Sequence, residues 1–375
     1  EAMRAAAAQK FAANRWGELG PTKVVIPKPW DNGRIKGVNS FGSEVYCDQL
    51  GEILSMDGYT TAPAGKSTPN NYSDSLYGYN PMTGVLRLVK RSNWRAGARS
   101  NDPKNCSYPY DENKTDPTPC PRHTYNGICY STDAKKFYLI NGANAGVPNK
   151  HPKFKPNKGS DVFTFWEFDI AKLKWKQLEY PKVKRKEPYE TVLRAIPGEN
   201  ALYLIATWSL WKYDTKNEKW SAVIPKGASG IGSGSYGCAA TVDLKRRRIV
   251  MMNAAARVRK GKPETDANRY VSVRYFDPAT KKFVPIPVKG AVEGKVKAGL
   301  AYVDHMDCYA VRTEKGLFLY LPEEQKWKKP EIAQFVPEGR HAWSWCYLNY
   351  DRGRQLLVLN RHAALRLDPK TLKYR

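Results

Sequence analysis

Short segments in which hydrophobic and polar residues alternate run along most of this 375-residue chain, and they predict β-strands. The segments come in pairs separated by three or four residues, a spacing typical of β-hairpins. Five pairs are clear: 127–132 with 136–142, 191–196 with 201–206, 237–243 with 248–253, 299–304 with 308–313, and 345–350 with 355–360. Residues 2–14 are Ala-rich and predict a short helix.

A second hairpin accompanies each pair and carries an internal repeat: an aromatic residue, then Asp, then another aromatic residue six positions after the Asp. The Asp side chain can bond the turn backbone, and Pro often follows it and presets the next φ. Two such hairpins form a four-stranded unit of about 45–65 residues, the period of a β-propeller blade. The repeat occurs as Phe168-Asp169 to Trp175, Tyr213-Asp214 to Trp220 and Phe276-Asp277 to Phe283, and in variant form as Leu367-Asp368 to Tyr374, Tyr79-Asn80 to Leu86 and Tyr320-Leu321 to Trp327.

These units predict an all-β protein, a β-propeller of four-stranded antiparallel blades. Six blades are favoured; seven is the alternative, because the first two outer-hairpin signals lie nearly two periods apart. Residues 1–22 are expected to form an N-terminal helical extension and residues 23–375 a single propeller domain, with a long surface loop at 92–121. The last unit ends before its fourth strand, so we expect residues 23–27 to close the ring by pairing with the C-terminal strand.

The Tyr213-Asp214 to Trp220 hairpin and its repeats resemble the kelch and galactose-oxidase-like propellers, in which a Tyr-Asp…Trp hairpin forms the outer half of each blade. The resemblance covers roughly residues 39–375 and implies the propeller architecture. The double glycine that usually follows the second strand of a kelch blade is mostly missing here. Gly142-Ala143-Asn144 is the nearest match.

The chain is strongly basic, with 62 Lys and Arg against 36 Asp and Glu, a net charge of +26. Because 41% of its residues are hydrophobic, it can bury a core and is not a disordered basic tail. The charge indicates a polyanionic partner: nucleic acid, an anionic membrane surface or an acidic polysaccharide. No apolar run reaches the length of a transmembrane helix, and residues 1–16 do not form an intact signal peptide.

The seven cysteines divide into two groups. Cys106 and Cys120 bracket the long polar loop, where a disulfide would restrain a segment without a core, and this predicts a secreted or periplasmic protein. The other five fall on predicted inner strands and are interpreted as buried thiols: Cys47, Cys129, Cys238, Cys308 and Cys346. Their spacing does not indicate a zinc site. No cofactor is required, and a structural Ca²⁺ or Zn²⁺ stays open.

Candidate binding residues fall in the loops that one face of a propeller would carry. Three of the five histidines follow an arginine, as Arg122-His123 before blade two and Arg340-His341 and Arg361-His362 in blade six. Blades six, one and two are consecutive in a six-blade ring, so the three pairs would line one side of the central depression. Such a lining has few carboxylates and suits an anionic ligand, because Arg binds carboxylate or sulfate in bidentate fashion. The other candidates on this face are Asn141, Asn144, Tyr189, Trp208, Tyr236, Asn253, Arg257 and Lys297.

This lining disfavours several reactions. A glycosidase needs two convergent carboxylates. A copper radical oxidase of the galactose-oxidase type needs a Tyr-His pair, and the chain has no Tyr-His dipeptide. No phosphate-binding glycine motif indicates a nucleotide cofactor. β-Elimination at a uronic acid fits better, because a His or Tyr can remove the proton beside the carboxylate while Arg, His or Asn stabilises the enolate-like transition state.

His123 and Tyr189 carry a further resemblance, to the propeller polysaccharide lyases such as those that cut ulvan. In that family a His precedes the inner strand of one blade and a Tyr precedes that of the next, as His123 and Tyr189 do here. The resemblance implies that these two residues are catalytic. The family's second His is replaced by Asn141 or Asn144, and its Arg position holds Thr207-Trp208, so Asn144, Arg122 or Arg194 would neutralise the substrate carboxylate. Those enzymes have seven blades.

The sequence therefore predicts a secreted propeller that binds an acidic, uronate or sulfated polysaccharide and cleaves it by β-elimination. The alternative is a non-catalytic propeller that binds a glycan or a protein. Nucleic-acid binding ranks third, since blade packing accounts for the aromatic residues and a disulfide argues against the cytosol.

Overall fold

A computed structural model describes part of the chain, and all structural statements below concern its described residues. They are residues 1–19, 23–25, 44–56, 75–90, 118–119, 124, 126–142, 164–182, 191–206, 209–224, 239–253, 271–288, 292, 299–313, 315–332, 348–359 and 363–374.

One helix and two short strands precede the first blade: α1 (Ala2–Lys10), β1 (Trp16–Glu18) and β2 (Lys23–Val25). The helix is shorter than predicted because Phe11 has an extended backbone and its side chain is buried in the core. Asn14 follows with a positive φ of 53°, and its N–H donates to the Arg366 carbonyl at 2.8 Å. This turn leads the chain from the helix into β1.

The other strands form six sheets, in chain order. Blade one contains β3 (Glu44–Cys47), β4 (Glu52–Met56), β5 (Leu76–Asn80) and β6 (Val85–Lys90); blade two contains β7 (Ile128–Ser131), β8 (Lys136–Ile140), β9 (Phe165–Asp169) and β10 (Lys174–Leu178); blade three contains β11 (Val192–Ala195), β12 (Ala201–Ile205), β13 (Leu210–Asp214) and β14 (Lys219–Ile224). Blade four contains β15 (Ala239–Asp243), β16 (Arg248–Asn253), β17 (Ser272–Asp277) and β18 (Lys282–Ile286); blade five contains β19 (Gly299–Val303), a 3₁₀ turn (Asp304–Met306), β20 (Cys308–Thr313), β21 (Gly316–Leu321) and β22 (Lys326–Lys328); blade six contains β23 (Leu348–Asp351), β24 (Leu356–Leu359) and β25 (Ala363–Arg366).

The sheets form a closed ring. The first strands of the blades, β3, β7, β11, β15, β19 and β23, contact one another in sequence, and β23 contacts β3 again. The protein is therefore a six-bladed β-propeller, as predicted, and the seven-blade alternative is wrong.

The ring closes through a different strand from the one predicted. β1 pairs antiparallel with β25, Trp16 opposite Leu365, and supplies the outermost strand of blade six. β2, which falls in the segment predicted to do this, instead pairs parallel with β6 on the outer edge of blade one. The prediction for residues 23–27 was wrong because the Asn14 turn brings Trp16 to the free edge of blade six first.

The sequence repeat forms the outer hairpin of the blades, as predicted. In blade two, Asp169 Oδ1 accepts hydrogen bonds from the backbone N–H groups of Ala171 and Lys172, both at 3.0 Å. The aromatic residues of the repeat then pack across the hairpin, with Phe168 and Trp175 ring centroids 4.9 Å apart. The same pairs in blades three, four and five lie 5.0, 5.1 and 5.0 Å apart. Asp fixes the turn, and the aromatic pair fixes the register.

Three cysteines are buried and free: Cys47, Cys129 and Cys308. Burial raises the pKa of the Cys47 thiol to about 11 and that of the Cys129 thiol to about 12, so both stay protonated and unreactive. These three confirm the buried-thiol interpretation, although Cys308 begins a second strand rather than an inner one. The predicted Cys106–Cys120 disulfide, Cys238 and Cys346 lie outside the described residues, as does almost all of the predicted 92–121 loop.

Candidate functional site

The six inner strands surround a central channel of about 130 Å³. Four of them place a tyrosine on its wall: Tyr46, Tyr130, Tyr302 and Tyr350. In blade three the third position of the inner strand holds Arg194, which also lines the channel. The wall therefore combines tyrosines and aliphatic residues with two guanidinium groups, Arg194 and Arg352, and two carboxylates, Glu44 and Asp48.

The channel tyrosines direct their hydroxyls at polar groups near the turns that follow the inner strands. Tyr302 donates to Asp307 Oδ1 at 3.0 Å, and Tyr350 donates to Asp304 Oδ1 at 2.9 Å. Burial, together with these carboxylates, raises the pKa of both phenols well above the usual range. Both therefore stay neutral at physiological pH and are poorly suited to abstract a proton.

Arg194 is the best-connected side chain of the channel. Its Nη1 donates to the Leu193 carbonyl at 2.6 Å and to the Ile128 carbonyl at 3.1 Å, and its Nε and Nη2 donate to the Ala240 carbonyl at 3.1 and 2.9 Å. Its Nη2 also reaches Asn126 Oδ1 at 3.0 Å. One guanidinium thus joins the inner strands of blades two, three and four. An anion at Arg194 would have to compete with these carbonyl groups.

The segment before β7 is held against the start of β11. Asn126 forms an isolated parallel bridge with Val192, and its carbonyl accepts a hydrogen bond from Leu193 N at 3.0 Å. Gly127 beside it allows a close approach, because a Cβ there would lie 2.2 Å from the Ile140 carbonyl oxygen. Glycine is therefore required at this point.

Of the predicted site residues, the structure describes Asn141, Arg194 and Asn253. Asn141 follows β8 with a positive φ of 56°, is almost fully buried, and lies next to Ile140, whose N–H donates to the Gly127 carbonyl at 2.8 Å. Asn141 and Arg194 thus lie on either side of residues 126–127. Asn253 ends β16 in blade four, opposite Ser272. The other candidates lie outside the described residues: His123, Tyr189, Arg122, Asn144, Trp208, Tyr236, Arg257, Lys297, Arg340, His341, Arg361 and His362.

Sequence reasoning missed Asn126 and the channel tyrosines. A signal for the tyrosines exists, because Tyr46, Tyr302 and Tyr130 each precede an Asp by two or three residues at the end of an inner strand. The bridge at Asn126 had no signal, since it depends on the positions of two blades. Within the described part of the chain, no group of three or more His, Cys, Asp or Glu residues is arranged to hold a metal ion. There, too, no helix has the length and apolar character needed to cross a membrane.

No protein-family model matches the chain, and no curated protein matches it. Among solved structures it is similar to TolB from Acinetobacter baumannii, with 11% identity and a TM-score of 0.40. The match covers 76% of this chain and 52% of that one, so the chain spans about half the length of the TolB structure it matches.

Proposed function

We propose that this propeller binds an acidic, uronic-acid-containing polysaccharide outside the cytosol and cleaves it by β-elimination, with His123 and Tyr189 as the catalytic pair. The proposal extends the resemblance of these two positions to the ulvan-cutting propeller lyases.

The bridge between Asn126 and Val192 is the observation that carries the proposal. His123 precedes Asn126 by three residues, and Tyr189 precedes Val192 by three residues. Three residues of extended chain reach at most about 10 Å. Because the two bridged residues are in contact, both candidates are tethered, by equal lengths of chain, to one point at the start of blades two and three.

The chemistry assigns each residue a role. One of His123 and Tyr189 removes the proton at C5 of the uronate, and the electron pair forms a C4–C5 double bond as the glycosidic oxygen leaves C4. The other residue donates a proton to that oxygen, so a saturated chain is divided into an unsaturated end and a free hydroxyl. Asn144, Arg122 or Arg194 would stabilise the charge that develops on the carboxylate. The net charge of +26 would raise the local concentration of an anionic polymer.

The experiment is an ultraviolet assay for unsaturated uronate ends on a panel of acidic polysaccharides. We expect His123→Ala and Tyr189→Phe to reduce the rate at least about 100-fold, the usual contribution of a general acid or base. Tyr320→Phe is the matched control, since Tyr320 packs on Trp327 in an outer hairpin, and it should retain activity.

No unsaturated product from any polymer, with binding retained, would refute catalysis and leave the non-catalytic glycan-binding alternative. Full activity of both His123→Ala and Tyr189→Phe would refute the assignment of the pair.

A further inference from the structure

One lysine begins the outermost strand in each of blades two to five, and a fifth, Lys373, has the same place in the sequence repeat after β25. In each, it directly precedes the aromatic residue that returns after the outer turn, as in Lys174-Trp175 of blade two. All five lysines are exposed. We name them the lysine band: Lys174, Lys219, Lys282, Lys326 and Lys373.

Where a carboxylate lies opposite a band lysine it accepts hydrogen bonds from the turn, whereas Lys326 lies opposite Leu321. Lys174 pairs across the hairpin with Asp169, and Lys219 pairs with Asp214. Asp214 Oδ1 accepts hydrogen bonds from the backbone N–H groups of Lys216 and Asn217, at 2.8 and 2.9 Å, which lower its pKa. No band lysine forms an ion pair with another described residue, whereas their neighbours Lys172, Lys176 and Lys328 do.

Protection of exposed sheet edges is the simplest structural reason for lysines on outermost strands. It does not account for the whole band. Lys373 lies after β25, outside the blade-six sheet, whose outer edge β1 already covers. Its carbonyl accepts a hydrogen bond from Glu331 N at 2.8 Å, so this segment is itself held against blade five. In blade four, Pro285 already interrupts the hydrogen-bonding edge of β18 that Lys282 begins. Lysines therefore occur at Lys282 and Lys373 although neither position needs a charge to protect an exposed sheet edge.

We propose that the lysine band is a secondary binding surface, along which a long polyuronate chain lies across the outer rims of blades two to five and the segment after β25. This inference rests on the proposed function and deepens it. Ammonium groups on flexible stems bind carboxylates as point charges, so the band would hold the polymer without reading its sequence and with strong salt dependence. The band lies at the end of the blades where the outer hairpins turn, since Lys174 is opposite Asp169, whereas Asn126 and Val192 lie at the opposite end. It would therefore hold a long chain that also passes over the rim to the site, but add nothing for a short oligosaccharide.

The test compares binding of polygalacturonate, trigalacturonate and neutral dextran, with His123→Ala present in every protein so that the polymer stays intact. One variant carries Lys→Gln at all five band positions, and a matched control carries Lys→Arg at the same positions. If each exposed contact contributes roughly twofold, the Gln variant should bind polygalacturonate about 30-fold more weakly at low salt. Binding of trigalacturonate should not change, the Arg variant should bind as the parent does, and dextran should not bind.

Unchanged polymer affinity in the Gln variant would overturn the band, and self-association of that variant would then identify the lysines as edge protection. Equal weakening for polymer and trimer would also overturn it. So would failure of the parent to bind polygalacturonate, or band-dependent binding of duplex DNA in its place. The outcome can be distinguished from that of the proposed function. Band-dependent binding without cleavage would support the band and refute the catalytic pair. Cleavage without band-dependent binding would support the catalytic pair and refute the band.

Discussion

Replacing Arg194 by Met should destabilise the protein strongly, because the guanidinium is a hub for three blades. The substitution keeps the length of the stem but removes the donor from the Leu193, Ile128 and Ala240 carbonyls and from Asn126 Oδ1. The Asn126 carbonyl retains its hydrogen bond from Leu193 N. At roughly 1 kcal/mol for each of the four deprived acceptors, we expect the free energy of unfolding to fall by at most about 4 kcal/mol. Arg194 is half-buried, so water can replace part of this loss and the range is about 2–4 kcal/mol.

Urea unfolding followed by tryptophan fluorescence measures this directly. Arg194→Lys keeps the charge and part of the donor set and should lose about half as much. Lys219→Met, on an exposed outermost strand, is the matched control and should change the unfolding free energy by less than about 0.5 kcal/mol. A change for Arg194→Met within that same margin would refute the hub. If substrate affinity fell while stability held, the sequence-based role of Arg194 in substrate binding would be favoured instead.

Two further changes test the turns. Burial opposes ionisation of Asp307, but hydrogen bonds from Arg246, Lys245 and Tyr302 outweigh this effect and lower the pKa of the carboxyl group. The ionised carboxylate therefore stabilises the fold above about pH 4, and this stabilisation is lost as the pH falls further. Asp307→Asn should therefore flatten the decline in urea midpoint between about pH 5 and 2, and a decline as steep as in the wild type would contradict this. Leu173 is exposed with a positive φ of 54°, so Leu173→Gly should raise the unfolding free energy by about 0.5–1 kcal/mol in the same assay; a loss would show that its side chain contributes more than its backbone strain costs.

The architecture could be predicted because its signals are local. Each outer hairpin carries its own Asp-capped turn and aromatic pair, as at Asp169, Phe168 and Trp175, and the count of such hairpins yields six blades. Ring closure could not be predicted as readily. Both 16–18 and 23–25 are short β segments, and the choice between them depends on Asn14 meeting Arg366 at the far end of the chain.

The candidate site was predictable in part for the same reason. The position of a residue relative to an inner strand follows from the repeat, which placed Asn141 after β8 and Asn253 at the end of β16. The partner of a side chain does not follow from the repeat. The sequence predicts Arg194 as a ligand for an anion. In the structure, its donors are directed at carbonyl groups of three blades. The sequence shows that a guanidinium is present, but which groups it binds depends on how the blades pack.

The most direct test of the proposed activity is digestion of a polyuronate in water labelled with 18O, followed by mass spectrometry of the new chain ends. β-Elimination adds no water, so the account predicts unsaturated, unlabelled ends that are lighter than the hydrolysis product by one water. These ends should disappear in Tyr189→Phe. Cleavage that yields only saturated ends, or a polymer that stays intact, would contradict the account.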